Sequence, residues 1–372
     1  MTSEVTALHR APAAHPFSER PLLAIWELTQ ACDLACVHCR ACAVAERDDR
    51  ELSTREGKAL LTRVAAMGTR LMVLTGGDPA KRPDLVELIA HGTAEGLIMT
   101  VTPSGTPLVT RDLLRAMRDA GMKRLAISID GPDAATHDAF RRVSGSFATT
   151  MRILEDAEAL GIERQVNTTL GAHNLRALEE MARLVGRAGV AMWSVFFVVP
   201  VGRALSSLLL GADAVERALE ELATIAEGVP FDVKTTAAPH FRRVQLARHA
   251  KGTVGLLRDV DASGQVKGPR GINDGSGFLF VSHLGDIYPS GFLPLHAGNV
   301  RDDDLARVYR DSPIFRALRD DEALEGKCGA CPFRRVCGGS RARAYGMTGD
   351  PMQSDPLCAY VPRGWPPPPE GA

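Results

Sequence analysis

The sequence lacks an apolar run long enough to cross a membrane. Its most apolar stretch covers only residues 195–201, whereas a spanning helix requires about 20 residues. A charged N-terminal region followed by an apolar core is also absent, so the sequence gives no indication of a secretory signal peptide. Lysine and arginine number 44 against 45 acidic residues, a net charge of −1 that provides no electrostatic basis for nucleic-acid binding. These absences predict a cytoplasmic protein without membrane or nucleic-acid partners.

Cysteine is also scarce, with 8 residues in 372, and its distribution is uneven. Four cysteines lie between residues 32 and 42, four lie between residues 328 and 358, and none lies between these groups. In the reducing cytoplasm, clustered cysteines serve metal binding or catalysis more often than disulfide formation. We therefore interpret both groups as metal or cluster sites.

Between residues 22 and 200, short β-rich runs alternate with amphipathic stretches. The strand-like runs are residues 22–29, 70–75, 97–102, 124–130, 164–170 and 192–200. The helix candidates are residues 53–67, 83–95, 110–120, 147–160 and 174–189. Six β/α repeats with mostly apolar strands predict an α/β fold with a parallel sheet and helical crossovers. Ligands bind such sheets at the carboxyl ends of strands, where the first cysteine group, the sequence TGGDP and an Asp-Gly pair all fall.

Beyond residue 200 the pattern becomes less regular. We predict a helical stretch at 203–230, a hairpin within 277–294 and a short helix at 305–318, followed by the distal cysteines. The last residues are proline-rich, which is typical of an extended end. The predicted organisation is an N-terminal tail (1–20), a β/α domain (21–230), a connector (231–275), a small cysteine-containing domain (276–362) and a proline-rich tail (363–372).

Cys32, Cys36 and Cys39 form a C-x3-C-x2-C pattern in the loop after the first predicted strand. Three thiolates can ligate three irons of a cubic 4Fe–4S cluster and leave the fourth iron open to a small molecule. From the spacing alone, zinc is an alternative, with His38 or Cys42 as a fourth ligand. The position of the pattern at the mouth of a β/α repeat, with a Gly-Gly-acidic turn after strand two, resembles the radical S-adenosylmethionine (SAM) superfamily.

The resemblance covers residues 20–200 and implies a partial (β/α)6 TIM-like barrel. It implies an enzyme in which a 4Fe–4S cluster on the three cysteines binds SAM and cleaves it reductively. The resulting 5′-deoxyadenosyl radical would abstract hydrogen from a substrate, and the electron would come from an external donor such as flavodoxin or ferredoxin. The SAM contacts that the resemblance assigns are Gly76, Gly77, Asp78, Ser128, Asp130, Arg141 and Asn167.

Some of these positions depart from the family pattern or have competitors. Asp78 replaces the glutamate of the family's GGE motif, and Ser104 stands where relatives often carry asparagine. Arg141, with Arg142 as its competitor, is assigned to the SAM carboxylate because a guanidinium can bind it through two hydrogen bonds. His38 is expected near the adenine ring rather than as a metal ligand, and Cys42 is expected to ligate nothing.

Cys328, Cys331, Cys337 and Cys358 form a C-x2-C-x5-C-x20-C pattern that supplies four ligands. A zinc ribbon is the alternative that this spacing allows. The sequence CGGSRARAYGMTGDP is similar to the SPASM extension of radical SAM enzymes, which implies an auxiliary 4Fe–4S cluster on these cysteines. Ser290 and Arg341 stand where a two-cluster extension carries cysteine. The resemblance therefore implies one auxiliary cluster and about eight irons per chain.

The substrate is predicted only by class. Radical SAM enzymes with such extensions modify ribosomally made peptides, tetrapyrroles or sugar–nucleoside acids, and neither end of the sequence holds enough residues for a peptide-recognition domain. Arginines that could meet a substrate carboxylate include Arg40, Arg203, Arg242 and Arg243, and Arg203 belongs to a Gly-Arg pair reminiscent of heme-pathway enzymes. We expect oxidation, decarboxylation or rearrangement of a small carboxylate-bearing substrate, a tetrapyrrole side chain or a sugar–nucleoside acid. Peptide modification is the alternative, and a non-catalytic SAM- and partner-binding protein is the alternative of another class.

Overall fold

The structure, a computed structural model, describes residues 15–204, 206–250, 260–261, 264–266 and 268–366. Most of the predicted N-terminal tail, part of the predicted connector and the end of the proline-rich tail lie outside the described residues. None of the helices in the described ranges combines the length and the apolar character that crossing a bilayer demands.

The described residues form a sheet surrounded by helices. The strands are β1 (Leu23–Glu27), β2 (Leu71–Thr75), β3 (Ile98–Val101), β4 (Arg124–Ser128), β5 (Glu163–Leu170), β6 (Met192–Phe197), β7 (Asp232–Thr236), β8 (Phe278–Val281), β9 (Asp286–Tyr288) and β10 (Gly298–Asn299). The α-helices are α1 (Thr54–Ala66), α2 (Leu85–Ala94), α3 (Arg111–Asp119), α4 (Ala134–Arg141), α5 (Ser146–Ala159), α6 (Leu178–Arg187), α7 (Ala212–Gly228), α8 (His240–His249), α9 (Leu305–Asp311), α10 (Pro313–Arg319), α11 (Gly326–Gly329) and α12 (Arg341–Thr348). Short 3-10 helices cover Pro79–Lys81, Leu175–Ala177, Ser206–Leu208 and Asp321–Ala323.

The sheet has the strand order β10-β9-β8-β1-β2-β3-β4-β5-β6-β7. Strands β1 to β7 are parallel, and β8 lies parallel to β1 on its other side. Strands β9 and β10 are antiparallel to their neighbours, as the predicted hairpin requires. The prediction of a partial TIM-like barrel is therefore confirmed, and the barrel is open and extended by β7 and β8. Strand β7 and helix α8 occupy part of the range predicted as a connector.

Local signals explain where several helices begin and end. Ser53 caps α1 because its hydroxyl accepts the Glu56 N–H, while the Glu56 carboxylate accepts the Ser53 N–H at 2.8 Å. The helix predicted at 305–318 is divided into α9 and α10 at Ser312, because Pro313 cannot donate a backbone hydrogen bond to the preceding turn. Helix α4, which the sequence prediction missed, begins at the Asp133 cap and ends at Arg142 with φ of +56°.

The core lies between the sheet and the helices that cover its outer face. Trp26 of β1 is fully buried and packs against α1 at Gly57, where a Cβ atom would lie 2.4 Å from the indole Cη2. Trp193 of β6 is also fully buried, and its indole N–H donates to the Thr168 hydroxyl at 2.9 Å. A residue without a side chain is thus required for α1 to approach the first strand, which carries the cysteine loop at its end.

Candidate active site

The first cysteine group lies in the loop after β1, at the carboxyl end of the parallel strands. Cys32 and Cys36 are buried, Cys39 is partly buried, and all are free thiols. The N–H of Leu34 donates to the Cys32 Sγ and that of Ala43 donates to the Cys39 Sγ, each at 3.4 Å. Burial raises the pKa of the Cys32 thiol, so iron ligation at this position would release a proton. The Leu34 and Ala43 N–H donors stabilise negative charge on the two sulfur atoms, as thiolate ligands require.

Cys42 differs from the other cysteines of this loop. It is exposed, and its backbone adopts the left-handed conformation with φ of +50°. Within the described ranges, no three Cys, His, Asp or Glu side chains converge as one bound ion would require. In a cubic cluster each cysteine ligates a different iron, so its sulfur atoms need not converge on one point. The arrangement of Cys32, Cys36 and Cys39 is therefore compatible with a cluster.

The Gly-Gly turn after β2 packs directly on the chain that leads into the cysteine loop. A Cβ atom at Gly76 would lie 2.6 Å from the Thr29 carbonyl oxygen, and one at Gly77 would lie 2.5 Å from that of Ala31. The Gly77 N–H donates to the Thr29 carbonyl at 2.7 Å. Both glycines are needed for this close approach of two backbone segments, which fixes the turn beside the cysteine loop.

The Asp78 carboxylate points into the protein. It is fully buried and accepts hydrogen bonds from the Thr106 hydroxyl at 2.6 Å, the Ala80 N–H at 3.1 Å and the Ser104 N–H at 3.3 Å. Ser104 also contacts Cys32, with 3.3 Å between the hydroxyl oxygen and the sulfur. The carboxylate therefore links the turn after β2 to the loop after β3.

Asp130 and Arg141 form a buried ion pair beside the cysteine loop. The Asp130 carboxylate also accepts the Thr169 N–H at 2.7 Å, and Arg141 Nη1 lies 3.6 Å from the Cys36 Sγ. Burial alone would raise the pKa of Asp130, but the Arg141 charge and several smaller favourable contributions together outweigh burial and lower that pKa. Arg142 is exposed, so of the two competing arginines only Arg141 lies at the cysteine loop.

Ser128, the last residue of β4, lies beside Asn167 within β5, and the two are register partners. Both are partly exposed. The Asn167 side-chain carbonyl accepts a hydrogen bond from Gln165 at 2.8 Å, which leaves its amide N–H groups for a ligand. The structure thus brings these two predicted SAM contacts together on neighbouring strands of the same barrel end.

Three aromatic rings that the sequence did not predict to meet form a continuous stack. The His38 ring lies on Phe140 with centroids 4.3 Å apart, and Phe140 lies on His173 with centroids 3.9 Å apart. Burial, followed by the nearby Arg141 charge, lowers the pKa of His38 to about 3, so its imidazole is neutral. The stack joins the cysteine loop, α4 and the loop after β5, and the Asp133 cap of α4 was the sequence signal that could have revealed it.

The arginines considered for a substrate carboxylate have different environments. Arg40 pairs with Glu27 at 2.6 Å and lies over the Phe280 ring. Arg243 pairs with Glu216 at 2.5 Å, and Arg242 donates to backbone carbonyls of the C-terminal region. In the described part of the chain neither Arg203 nor Arg242 has a carboxylate partner, but only Arg203 of these two has its Nε and Nη2 atoms buried without a hydrogen-bond acceptor.

The distal cysteines line one pocket with about 360 Å³ of empty space, part of it open to solvent. His240, Arg243, Phe333 and Tyr360 complete much of its wall. Burial raises the pKa of the Cys328, Cys331 and Cys337 thiols, whereas at Cys358 the nearby His240 and Lys327 together outweigh burial and lower the pKa. Metal or cluster binding would therefore displace the protons of the Cys328, Cys331 and Cys337 thiols.

A buried polar network surrounds this pocket. The Asp355 carboxylate accepts two hydrogen bonds from Arg343, at 2.9 and 2.7 Å, and lies 3.1 Å from the His240 Nε2. Burial disfavours the charged form of His240, but Asp355 outweighs it and raises the His240 pKa to about 8. The network fixes α8, which carries His240, against the cysteine segment.

Ser290 and Arg341, the positions where cysteine is expected in a two-cluster extension, are both buried and engaged. The Ser290 hydroxyl donates to Asp274, whose second oxygen accepts the Ala342 N–H at 2.9 Å. Arg341 donates to the carbonyl oxygens of residues 351 and 353 at 2.7 and 2.8 Å, and its Nη2 lies 3.5 Å from the Cys328 Sγ. These side chains occupy their positions with hydrogen bonds of their own.

Comparison with known proteins agrees with this site. A family model described as the radical SAM superfamily matches residues 26–185. The chain is 42% identical over 346 residues to the AdoMet-dependent heme synthase of Nitratidesulfovibrio vulgaris, covering 92% of this chain and 93% of that protein. It is 37% identical over 342 residues to the AdoMet-dependent heme synthase of Methanosarcina barkeri, covering 92% and 97%, respectively. AdoMet is another abbreviation for SAM.

Among solved structures, Streptococcus suis SuiB bound to its precursor peptide SuiA has the same fold. The two chains superpose with a TM-score of 0.73 at 16% identity, covering 92% of this chain and 76% of the other. At this low identity the likeness concerns the fold, including the barrel and the C-terminal extension.

Proposed function

The chain belongs to the radical SAM superfamily, and from this premise we propose that it converts propionate side chains of an iron porphyrin into vinyl groups. The observation that carries the proposal is the identity of 42% and 37% to two heme synthases over 92% of the chain. A match of this length includes both the barrel and most of the C-terminal region. Heme carries both propionate and vinyl groups, so a carboxylate-bearing porphyrin is a chemically reasonable precursor.

The residues for the cofactors follow from the site. Cys32, Cys36 and Cys39 would hold the 4Fe–4S cluster that leaves one iron open to SAM. When bound, the cluster and SAM supply a reductive cleavage to a 5′-deoxyadenosyl radical, which removes a hydrogen atom from the substrate. Electrons would come from an external donor such as flavodoxin or ferredoxin.

The predicted SAM contacts comprise a glycine turn and several polar side chains. Gly76 and Gly77 bring the turn close to the cysteine loop, and Ser128 and Asn167 present polar groups on adjacent strands. Arg141, already oriented by Asp130, would donate hydrogen bonds to the SAM carboxylate from the side of its guanidinium that faces Cys36 or from its unpartnered Nε. These contacts support a site that holds SAM without rearrangement of the strands.

The proposed conversion balances when each propionate loses one hydrogen atom, one CO₂ and one electron. The hydrogen atom leaves the carbon that bears the porphyrin ring, the bond to the carboxylate carbon breaks, and a C=C bond forms between the two remaining carbons. The carboxylate must be ionised, because an electron pair on its charged oxygen supplies the second C=O double bond of CO₂. A cationic side chain that orients a substrate carboxylate would assist binding without taking part in bond breaking.

The released electron requires a one-electron acceptor, and we propose that the distal cysteines hold an auxiliary 4Fe–4S cluster with this capacity. The common pocket of these cysteines supports a cluster. The hydrogen-bonded Ser290 and Arg341 support one auxiliary cluster rather than two.

The test uses anaerobically reconstituted protein with SAM, dithionite and iron coproporphyrin III, which carries propionates where heme has vinyl groups. We expect mass spectrometry to detect successive losses of one CO₂ and two hydrogens from the porphyrin, together with 5′-deoxyadenosine. Release of 5′-deoxyadenosine with no change in the porphyrin would reject this substrate and redirect the search to sugar–nucleoside acids or peptides. Intact clusters with no 5′-deoxyadenosine would instead support the non-catalytic alternative.

A further inference from the structure

Arg203 is held directly against the cysteine loop by its backbone. It follows β6, and its N–H donates to the Cys39 carbonyl at 3.0 Å. The preceding Gly202 has φ of +61°, and a Cβ atom there would lie 2.4 Å from the Arg40 carbonyl oxygen and 2.5 Å from that of Cys39. Only glycine permits this approach, so the position of Arg203 relative to the cysteine loop is fixed.

The Arg203 guanidinium has one engaged edge and one free edge. Its Nη1 donates to the Ala43 carbonyl at 3.4 Å, while Nε and Nη2 are buried and lack an acceptor among the described residues. The Nε and Nη2 hydrogens point the same way and form the fork that a carboxylate accepts through two parallel bonds. A buried guanidinium without such a partner is costly, so this fork is suited to an anionic ligand.

Other arginines at this barrel end are already balanced by carboxylates of the chain. Arg40 pairs with Glu27, and Arg141 pairs with Asp130. Arg141 also lies at Cys36, next to the strands that carry the predicted SAM contacts, whereas Arg203 lies at Cys39 and Ala43 after β6. If Arg141 takes the SAM carboxylate, the anion that remains for Arg203 is one supplied by the substrate.

We propose that Arg203 binds a carboxylate of the substrate through its Nε–Nη2 edge and thereby positions the substrate against the cysteine loop. The proposal rests on the proposed function, which supplies a substrate with several propionates. Arg203 is a binding residue in this proposal and takes no part in bond breaking. The proposal predicts that substrate affinity depends on Arg203 and on the substrate carboxylates, whereas SAM affinity does not depend on Arg203.

The experiment is an anaerobic titration of reconstituted wild-type, Arg203→Gln, Arg203→Lys and Arg187→Gln proteins with iron coproporphyrin III. Binding is followed by the shift of the porphyrin absorbance, and SAM binding is measured separately by equilibrium dialysis. We expect Arg203→Gln to weaken porphyrin binding by about ten- to a hundredfold, the range for a lost charge-assisted pair of hydrogen bonds. Arg203→Lys, which keeps the charge but not the fork, should give an intermediate loss.

Arg187 is exposed on α6 and makes no recorded side-chain hydrogen bond in the described structure, so Arg187→Gln is the matched control and should bind normally. Wild-type protein should also bind the tetramethyl ester of the porphyrin more weakly than the free acid. This ester comparison uses wild-type protein, so it still tests the role of the substrate carboxylates if the Arg203→Gln protein fails to retain its iron. Arg203→Gln should not weaken ester binding further.

Three outcomes would overturn the assignment. Equal porphyrin affinity of Arg203→Gln and wild type rejects it while leaving the proposed function intact. Loss of SAM affinity with unchanged porphyrin affinity assigns Arg203 to the SAM carboxylate. Failure of wild-type protein to bind the porphyrin rejects the proposed function, and the substrate assignment of Arg203 with it.

Discussion

Replacing Asp130 by asparagine isolates the charge of one buried group, because asparagine has nearly the same shape and can still accept the Thr169 N–H. Asp130 is fully buried, and its partner Arg141 exposes only 11% of its side chain. The substitution would leave that guanidinium without a counter-charge, and breaking a buried pair in this way costs about 3–5 kcal/mol. Solvent screening relieves little of this cost, because almost no water reaches the ion pair.

The assay is anaerobic urea unfolding of the iron-free chain, followed by tryptophan fluorescence. Trp26 and Trp193 are fully buried and report on loss of the core. Asp112→Asn is the matched control, because Asp112 is exposed and, among the described residues, forms an ion pair with Arg115 alone on the surface of α3. Its free energy of unfolding should change by less than about 0.5 kcal/mol.

Two further measurements test the electrostatic reason. Replacing both partners, as in the Asp130→Asn, Arg141→Met double variant, should recover part of the loss, because no unpaired charge remains buried. The pKa of Asp130 is lowered from its ordinary value of 3.8, so its stabilising contribution is fully present above that value. The difference between wild type and Asp130→Asn should persist at neutral pH and close as the pH falls through the lower, folded-state pKa.

A loss below about 1 kcal/mol, of the size expected for an exposed pair, would refute the interpretation of Asp130 and Arg141 as a buried ion pair. A double variant no more stable than Asp130→Asn would refute the argument in another way. It would show that packing, rather than an uncompensated charge, sets the cost.

Other predictions concern packing and the two cysteine groups. Gly57→Ala should lower the free energy of unfolding by about 1–3 kcal/mol in the same urea assay, because the added methyl group would overlap Trp26. Cys36→Ala should reduce bound iron from about eight to about four per chain and abolish 5′-deoxyadenosine release, whereas Cys42→Ala should change neither. Cys337→Ala should also reduce iron to about four, yet retain SAM cleavage in the presence of dithionite. Full iron content in Cys337→Ala would contradict a cluster on the distal cysteines.

The sequence was sufficient to predict the six central strands, because their apolar runs are framed by glycine and by helix caps. Strand β7 was missed since its sequence, DVKTT, contains a single aliphatic residue and does not follow the apolar pattern of the others. Helix α4 was missed because it has only 8 residues, too few for a clear helical period.

Within the candidate site, motif positions predicted which residues come together but not how their side chains are used. Asp78 has the expected place after β2, yet its carboxylate turns inward to Thr106, and nothing in the motif specifies that direction. Asp130 and Arg141 were both assigned to SAM, and their pairing depends on where α4 packs. The stack of His38 on Phe140 likewise joins residues 102 positions apart in the chain, so only the tertiary fold determines it.

The parallel pairing of β8 with β1 determines whether the C-terminal region can be removed without damage to the barrel. Residues Leu23 to Trp26 of β1 are in register with Phe278 to Val281 of β8, so the extension completes the hydrogen bonding of the strand that leads into the cysteine loop. A chain truncated before β8 would expose β1 as an unprotected edge, and apolar edges of this kind promote aggregation. The extension is therefore not a detachable module, and its removal would compromise the SAM site before any question of electron transfer arose.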